Sequence, residues 1–515
     1  MLFLGIDSST QGIKYLVVDS QKGVVANIHI NFGEDLPEYA SPHGFLENTN
    51  PLIKHSNPLM WLDALELGLQ KLAVSGIDLS EIKGISGSGQ QHGSVYLKEK
   101  IPDWRKDKKL SEQAADILSR KTAPIWMDHS TSAECQELIT EFGAKMLRNT
   151  TGSSAIERFT GPQIRKFAKI APEKYAQTTK IHLVSSFLCS VLCGADAPID
   201  YADASGMNLF DLNTLTWNQK IANFTAPNLL SKLPDVVPSN TIVGGLCSYF
   251  SKYHLTPGIP VIAWSGDNPN SLIGIGACAP GTAGISLGTS DTFFAPMAKF
   301  TTDPQGCGHV FADCASGFMS LICFTNGSLA REKIKNECGC SWKYFDQDFA
   351  SETIPGNNGK LLLPYFEAEN TPLVLIPGIR KNFINATNAE KIRALLETQA
   401  LSMCLHSAWQ KQTFSHIRLT GGASKSTGFQ QILADVFQAQ IETIQSSDSA
   451  SLGAAFRAIN AVTQESFSSL SHKFCKIIST TAPILSNAPL YNQKRTQLST
   501  MEKENIHSNK KGIKQ

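Results

Sequence analysis

An α/β chain built as two principal domains is the fold class this sequence predicts, and three observations predict it. The first is length: 515 residues exceed what one ordinary hydrophobic core organises, so two interiors and a gap between them are expected. The second is a run of short strands broken by turn residues at the start of the chain, LFLGI, IKYLVVDS and VVANIHI, separated by DSSTQG and SQKG. The third is a second cycle of the same kind, beginning near residue 258 with PVIAWSGDN and continuing through AGISLGTSDTFFA, HVFADC and FMSLICF.

Connections as short as those in the first 30 residues join antiparallel strands, so a meander is expected there, with residues 7 to 12 forming a tight loop. Between Trp61 and Leu72 the apolar residues Trp61, Leu62, Leu65, Leu69 and Leu72 recur at helical spacing. EIKGISGSG then reads as a strand whose glycine-rich carboxyl end can line a site. The two cycles share a pattern, because each holds a strand pair closing on a small-residue loop, DSST at 7 to 10 and GTSD at 288 to 291. Each later has a helix-and-strand unit ending in SGSGQQ or TGGASKS, which suggests a duplication. The divisions expected are 1–256, 257–480 and a polar closing segment, 481–515, with a helix first and a frayed NKKGIKQ tail.

Charge balance narrows the ligand. With 46 basic against 45 acidic residues there is no broad field for nucleic acid or a membrane surface, so a small molecule is expected. MLFLGIDSST lacks a basic n-region, and no window approaches the length of a membrane span. The twelve cysteines are scattered and lack a doubled CxxC, which fits reduced thiols in a cytoplasmic protein better than bridges or zinc.

Several segments carry candidate chemistry, each beside a plainer reading. Asp-Ser-Ser-Thr-Gln-Gly offers N–H groups and hydroxyls that suit phosphate oxygens, Gly12 allows a strained turn, and Asp7 is a hard oxygen donor suited to Mg²⁺; the same residues also make an ordinary hairpin turn. In GISLGTSDT, Gly288 permits close approach while Thr289 and Ser290 supply donors. Two such loops are what clamping a triphosphate from both sides requires. Gly421 and Gly422 leave a flat surface for a planar ring, with Ser426 near the start of the following helix, or else they form a simple turn into that helix. AWSGDNPN puts Asp267 and Asn268 in a turn after a buried strand, where Asp267 is the candidate base for a hydroxyl proton; Asp-Asn-Pro is equally a good turn initiator. In GSGQQH, His92 suits a sugar hydroxyl or carbonyl, or is a structural histidine, and Arg158 reaches a sugar or ties down its own loop.

Taken in order, DSSTQGIK, GSGQQHGS, IWMDHST, ERFTG, PIDYADASGMNLFD, GDNP, SLGTSDT and LTGGAS resemble the FGGY carbohydrate kinases, from Leu2 to about residue 495. The trio GSGQQHGS, ERFTG and GDNP is similar to the eukaryote-type, xylulose-phosphorylating branch. The resemblance implies two actin-like, ribonuclease-H-like ATPase domains flanking a deep cleft that closes on its ligands. It also implies sugar contacts from His92, Arg158, Asp267 and Asn268, Asp267 as base, Asp7 for Mg²⁺, and ATP held by Thr10, Gly288, Thr289, Ser290, Trp342, Gly421, Gly422, Ala423 and Ser426. The reaction implied is γ-phosphoryl transfer from ATP to the C5 hydroxyl of D-xylulose; another ketose, a polyol, a sugar acid, or sensing without catalysis are the other readings. Two departures stand out. Trp126-Met127-Asp128 is followed by His129 and Ser130 where the family often has an arginine, and Ser426 stands where asparagine is frequent.

Overall fold

The computed structural model describes residues 1–445 and 448–512, with the side chains of 505–512 left aside. Its contacts divide the chain into two compact units, Met1–Cys278 with Val310–Phe318 and Asp448–Phe474, and Ala279–His309 with Met319–Ser447 and Cys475–Gln515.

In the first unit the expected meander is present. Leu2–Ser8, Gly12–Asp19 and Gly23–Asn31 pair antiparallel in sequence, Ile82–Gly89 lies parallel to Leu2–Ser8, Pro260–Ile262 lies parallel to Ile82–Gly89, and Ile242–Gly245 closes the edge antiparallel. The second unit repeats this order with Phe318–Phe324, Asp291–Met297, Thr282–Leu287, His416–Thr420, Gln440–Ile444 and Ile477–Thr481, the parallel pairs again central and the antiparallel ones flanking. Parallel pairing needs long crossovers, and helices supply them.

Helix Pro58–Ala73 precedes the central strand Ile82–Gly89. Asn57 caps it by accepting from Leu59 N at 3.0 Å, and Pro58 fills the first helical position, where no N–H is wanted. Trp61, Leu65 and Leu69 face the core with Ile6, Val17 and Ile85. Gly68 is small because a Cβ there would fall 2.0 Å from the Tyr15 ring, which lies against the helix and donates its hydroxyl to Ala64 O and Leu65 O. The second core gathers Ile285, Phe293, Leu395, Leu401, Phe429 and Leu433. Its long helix, Asn388–Ser407, starts with a reciprocal cap between Thr387 and Glu390.

The division expected after residue 256 falls elsewhere, because Pro260–Ile262 and Ser265–Gly266 pair with Ile82–Gly89 and so belong to the first sheet. The second cycle starts at Thr282, not near 258. Two later segments return to the first unit. Val310 N donates to Gly152 O, Ala312 N to Ser205 Oγ, and helix Ser449–Thr463 packs so closely that a Cβ on Gly5 would sit 2.1 Å from Ser451 O. The closing segment is a helix, Ala488–Gly512, docked by Tyr491 and Lys494 on the buried Glu397 carboxylate of the long helix. It reaches into the expected tail, whose last three residues, 513–515, lie outside the described residues. All twelve cysteines are free thiols. Among the described residues no helix is long and apolar enough to cross a membrane, and no group of three or more metal-ligating side chains is found.

Candidate active site

The first unit collects one set of candidates at the carboxyl ends of its central strands. Asp7 sits beside Ser88 in the register of the parallel pair Leu2–Ser8 and Ile82–Gly89, and Gln90, just beyond, donates its backbone N–H to Ser8 O. Asp7 is almost wholly buried. Burial pushes its carboxyl up, the neighbouring Ser88 hydroxyl and Lys14 pull it down, and the balance is a pKa of about 6. Its Oδ1 has no hydrogen-bond partner, nor do Ser8 Oγ and both side-chain amide atoms of Gln90. A buried, unpartnered carboxylate oxygen is costly unless something polar or cationic meets it. Gly12 serves this hairpin by space rather than by an unusual turn, since a Cβ would lie 2.3 Å from Ile30 O.

Asp267 and Asn268 do not form the expected turn. They open a helix, Asp267–Gly274, immediately after strand Ser265–Gly266, and Pro269 is compatible because a proline in the first helical turn forfeits no internal hydrogen bond. Asp267 Oδ1 accepts from Asn268 N at 2.8 Å and from Asn268 Nδ2 at 3.0 Å. Burial first, and then the negative charge of Asp7, raise the Asp267 pKa to about 7. A carboxylate so tuned is poised to take up a proton near neutrality.

His92 is held from two sides. Its Nδ1 lies 2.8 Å from Gly206 O, and because a carbonyl only accepts, Nδ1 carries the hydrogen and Nε2 is left as an acceptor. The ring stacks on Phe159 with centroids 4.3 Å apart. Burial and the nearby Arg158 charge lower its pKa to about 3, so the imidazole is neutral. Arg158 is partly exposed, with its guanidinium 5.9 Å from the Phe159 ring centroid. Thr10, on the hairpin, accepts from Trp126 Nε1 at 2.8 Å.

The missing arginine after Trp126-Met127-Asp128 has a local replacement. Asp128 is fully buried and accepts from Lys54 N, Ser130 N, Ser130 Oγ and Gln163 Nε2, with His55 Nε2 at 3.4 Å. Burial alone would raise its pKa, but these donors outweigh it and hold the carboxyl below its ordinary range.

The second unit brings the other candidates together. Gly421 has φ +86°, and a Cβ there would lie 2.4 Å from Leu287 O, so the Gly421–Gly422 turn rests against the strand end that leads into Gly288. Thr289 and Ser290 are exposed. Arg331, which sequence reasoning missed, anchors this loop: its guanidinium meets both oxygens of Asp291 at 2.7 and 2.8 Å, and Ser328 N donates to Gly288 O at 2.9 Å. Trp342, 45 % exposed, begins a short helix, Trp342–Asp346, with Lys335 Nζ 5.3 Å from its ring centroid. Ser426 is buried. Its hydroxyl accepts from Phe429 N as a helix cap and donates to Asp346 O at 3.1 Å, so it ties the Trp342 helix to the glycine turn from beneath, while Gly421, Gly422 and Ala423 lie above it with more exposure.

Residues 2–274 match the N-terminal domain, and residues 283–462 the C-terminal domain, of the FGGY family of carbohydrate kinases. The chain belongs to this FGGY family. It is a carbohydrate kinase. A xylulose kinase of Mus musculus is 40 % identical over 479 residues, covering 89 % of this chain and 86 % of that protein, and Xylulose kinase 2 of Arabidopsis thaliana is 38 % identical over 485 residues, with 89 % and 86 % covered. Among solved FGGY-like folds, a kinase from Brucella ovis described as a xyloylose kinase superposes with a TM-score of 0.85 at 22 % identity, covering 99 % of this chain and all of that one. The family match accounts for the paired sheets, and its two parts meet near Cys278, where the compact units divide.

Proposed function

We propose that this kinase transfers the γ-phosphoryl group of ATP to the C5 hydroxyl of D-xylulose, with Asp267 as the base. The observation that carries the chemistry is the Asp267 carboxylate: one oxygen is spent on Asn268, the Gln91 backbone N–H also supports the group, and its pKa of about 7 suits a proton acceptor at cellular pH. The sugar assignment rests on the relatives, which are xylulose kinases over most of their length.

In this reading His92, Arg158 and Asn268 hold the sugar so that its reacting hydroxyl faces Asp267 Oδ2. As the sugar oxygen forms its bond to the γ-phosphorus, its proton passes to Asp267, the bond from that phosphorus to the bridging oxygen breaks, and ADP leaves. Thr10, Gly288, Thr289 and Ser290 serve the phosphates, and Trp342 with Gly421, Gly422 and Ala423 serves the adenosine. Ser426 acts from below, as a support.

Asp7 fits Mg²⁺, because its buried Oδ1 has no other partner and this ion characteristically takes one or two carboxylates and keeps its waters. Bound with nucleotide, the ion would neutralise charge on the phosphates. Twelve reduced thiols favour a cytosolic setting.

A panel of ketoses, polyols and sugar acids with coupled ADP detection tests the acceptor, and D-xylulose is expected to have the highest kcat/KM. Asp267→Asn is expected to bind the sugar yet lose turnover by about 10²–10⁴-fold, the range general-base catalysis supplies. Near-normal turnover would remove Asp267 from the reaction.

A further inference from the structure

Hydrogen-bond polarity around Asp267 follows from one backbone group. Asn268 N donates to Asp267 Oδ1 at 2.8 Å, so that oxygen is an acceptor whether or not the acid is protonated, and any proton sits on Oδ2. The Asn268 side-chain atom 3.0 Å from Oδ1 must then be the amide nitrogen. Its second hydrogen points at a Gln91 side-chain atom 2.9 Å away, which must be the Gln91 oxygen. Both amide hydrogens of Asn268 are thereby used. What Asn268 offers a ligand is its oxygen, an acceptor.

Gln91 is well placed to lock this arrangement. Only 2 % of it is exposed, whereas Asn268 is partly open. It is wedged by small neighbours, since a Cβ on Gly266 would fall 2.5 Å from Gln91 Cγ. A third acceptor, His92 Nε2, is oriented in the same manner by Gly206 O. Asn268 Oδ1 and His92 Nε2 therefore meet a ligand as acceptors, which want hydroxyl hydrogens, while Arg158 offers donors.

Resting on the sugar-kinase reading above, we propose that Gln91 is a positioning residue that sets substrate specificity. By accepting the second hydrogen of the Asn268 amide, whose turn Asp267 Oδ1 already dictates, it anchors that side chain with its oxygen toward the ligand, so the site requires a hydroxyl on the carbon next to the one phosphorylated and the preferred acceptors are terminal vicinal diols. Asp267 Oδ2 receives the reacting hydroxyl and Asn268 Oδ1 its neighbour. A site built to bond a hydroxyl penalises the analogue without it, because the buried polar group is left unpaired.

The test compares D-xylulose with its 4-deoxy analogue, by kcat/KM, in the wild type and in Gln91→Met, which matches glutamine in length but has no amide oxygen. The wild type is expected to prefer the full sugar on the order of 100-fold, below the limit for fully enclosed hydroxyl recognition because Asn268 is partly open. Gln91→Met is expected to lose about tenfold on D-xylulose and little on the analogue, shrinking the ratio about tenfold. An unchanged ratio, with both substrates losing equally, assigns Gln91 a merely structural role and overturns the inference. Gln91→Glu keeps an oxygen facing Asn268 and should retain the wild-type ratio even at reduced turnover; its collapse overturns the inference as well, and this arm stands if Gln91→Met does not fold. A wild type that phosphorylates D-xylulose with a ratio near one defeats only this inference, while one that phosphorylates no sugar defeats the functional reading beneath it.

Discussion

The two hairpins that begin the two sheets have the same backbone plan, yet the carboxylate each carries meets a different fate. In the first, Asp7 is buried with one oxygen unpartnered and a pKa raised to about 6. In the second, Asp291 is gripped through both oxygens by Arg331, and neither side chain is more than 2 % exposed. A repeated frame thus carries two distinct electrostatic designs. One leaves a buried carboxylate oxygen without a protein partner; the other cancels its charge internally and leaves Thr289 and Ser290 exposed.

That contrast can be broken at either end. Arg331→Met strands the Asp291 carboxylate in a buried site, and removing one partner of such a pair costs about 3–5 kcal/mol. Denaturant unfolding should register this loss; a change below about 1 kcal/mol would show that the pair does not hold the second hairpin. Asp7→Asn should instead leave the fold intact and lower turnover by about 10²-fold, the scale of removing one charge-stabilising group, with sugar affinity unchanged. Should affinity for the sugar fall in step with turnover, Asp7 would belong to sugar binding rather than to the nucleotide's cation.

The smallest expected effect concerns pH. Asp7 and Asp267 hold protons more tightly when folded, at about 6 and 7, than when unfolded, at about 4. Their contribution to stability is therefore full below the unfolded value and is lost as pH rises through 6 to 7. Without nucleotide or divalent ions, Asp267→Asn should melt with the wild type at pH 4 and about one degree above it at pH 8, the shift that ~1 kcal/mol produces in a chain of this size. An equal offset at both values would mean that burial of charge is not what strains this site.

Much of the frame was legible because its signals are local. Apolar strands six to nine residues long, punctuated by Asp-Ser-Ser-Thr and Gly-Thr-Ser-Asp, announced both hairpins, and the spacing of Trp61, Leu65, Leu69 and Leu72 announced the helix behind them. What escaped depends on partners far away in the chain. Asp267-Asn268-Pro269 reads as a turn until strand Ser265–Gly266 is seen to pair with residues 88 and 89, which sets the helix start. The bond from Ser426 Oγ to Asp346 O joins residues 80 positions apart, beyond the reach of local pattern. Arg331 in SLAREK is indistinguishable from a surface arginine by composition, and Asp128 lost an expected arginine only to gain His55, Ser130 and Gln163, two of them distant in sequence.

Helix Ser449–Thr463 bears on how the polypeptide leaves the ribosome. Because it seals the first sheet against Gly5 and Gly274, the amino-terminal unit lacks one wall until residues 449–463 have been translated. Nascent chains halted at Cys278 should expose that unfinished face, a natural landing place for chaperones.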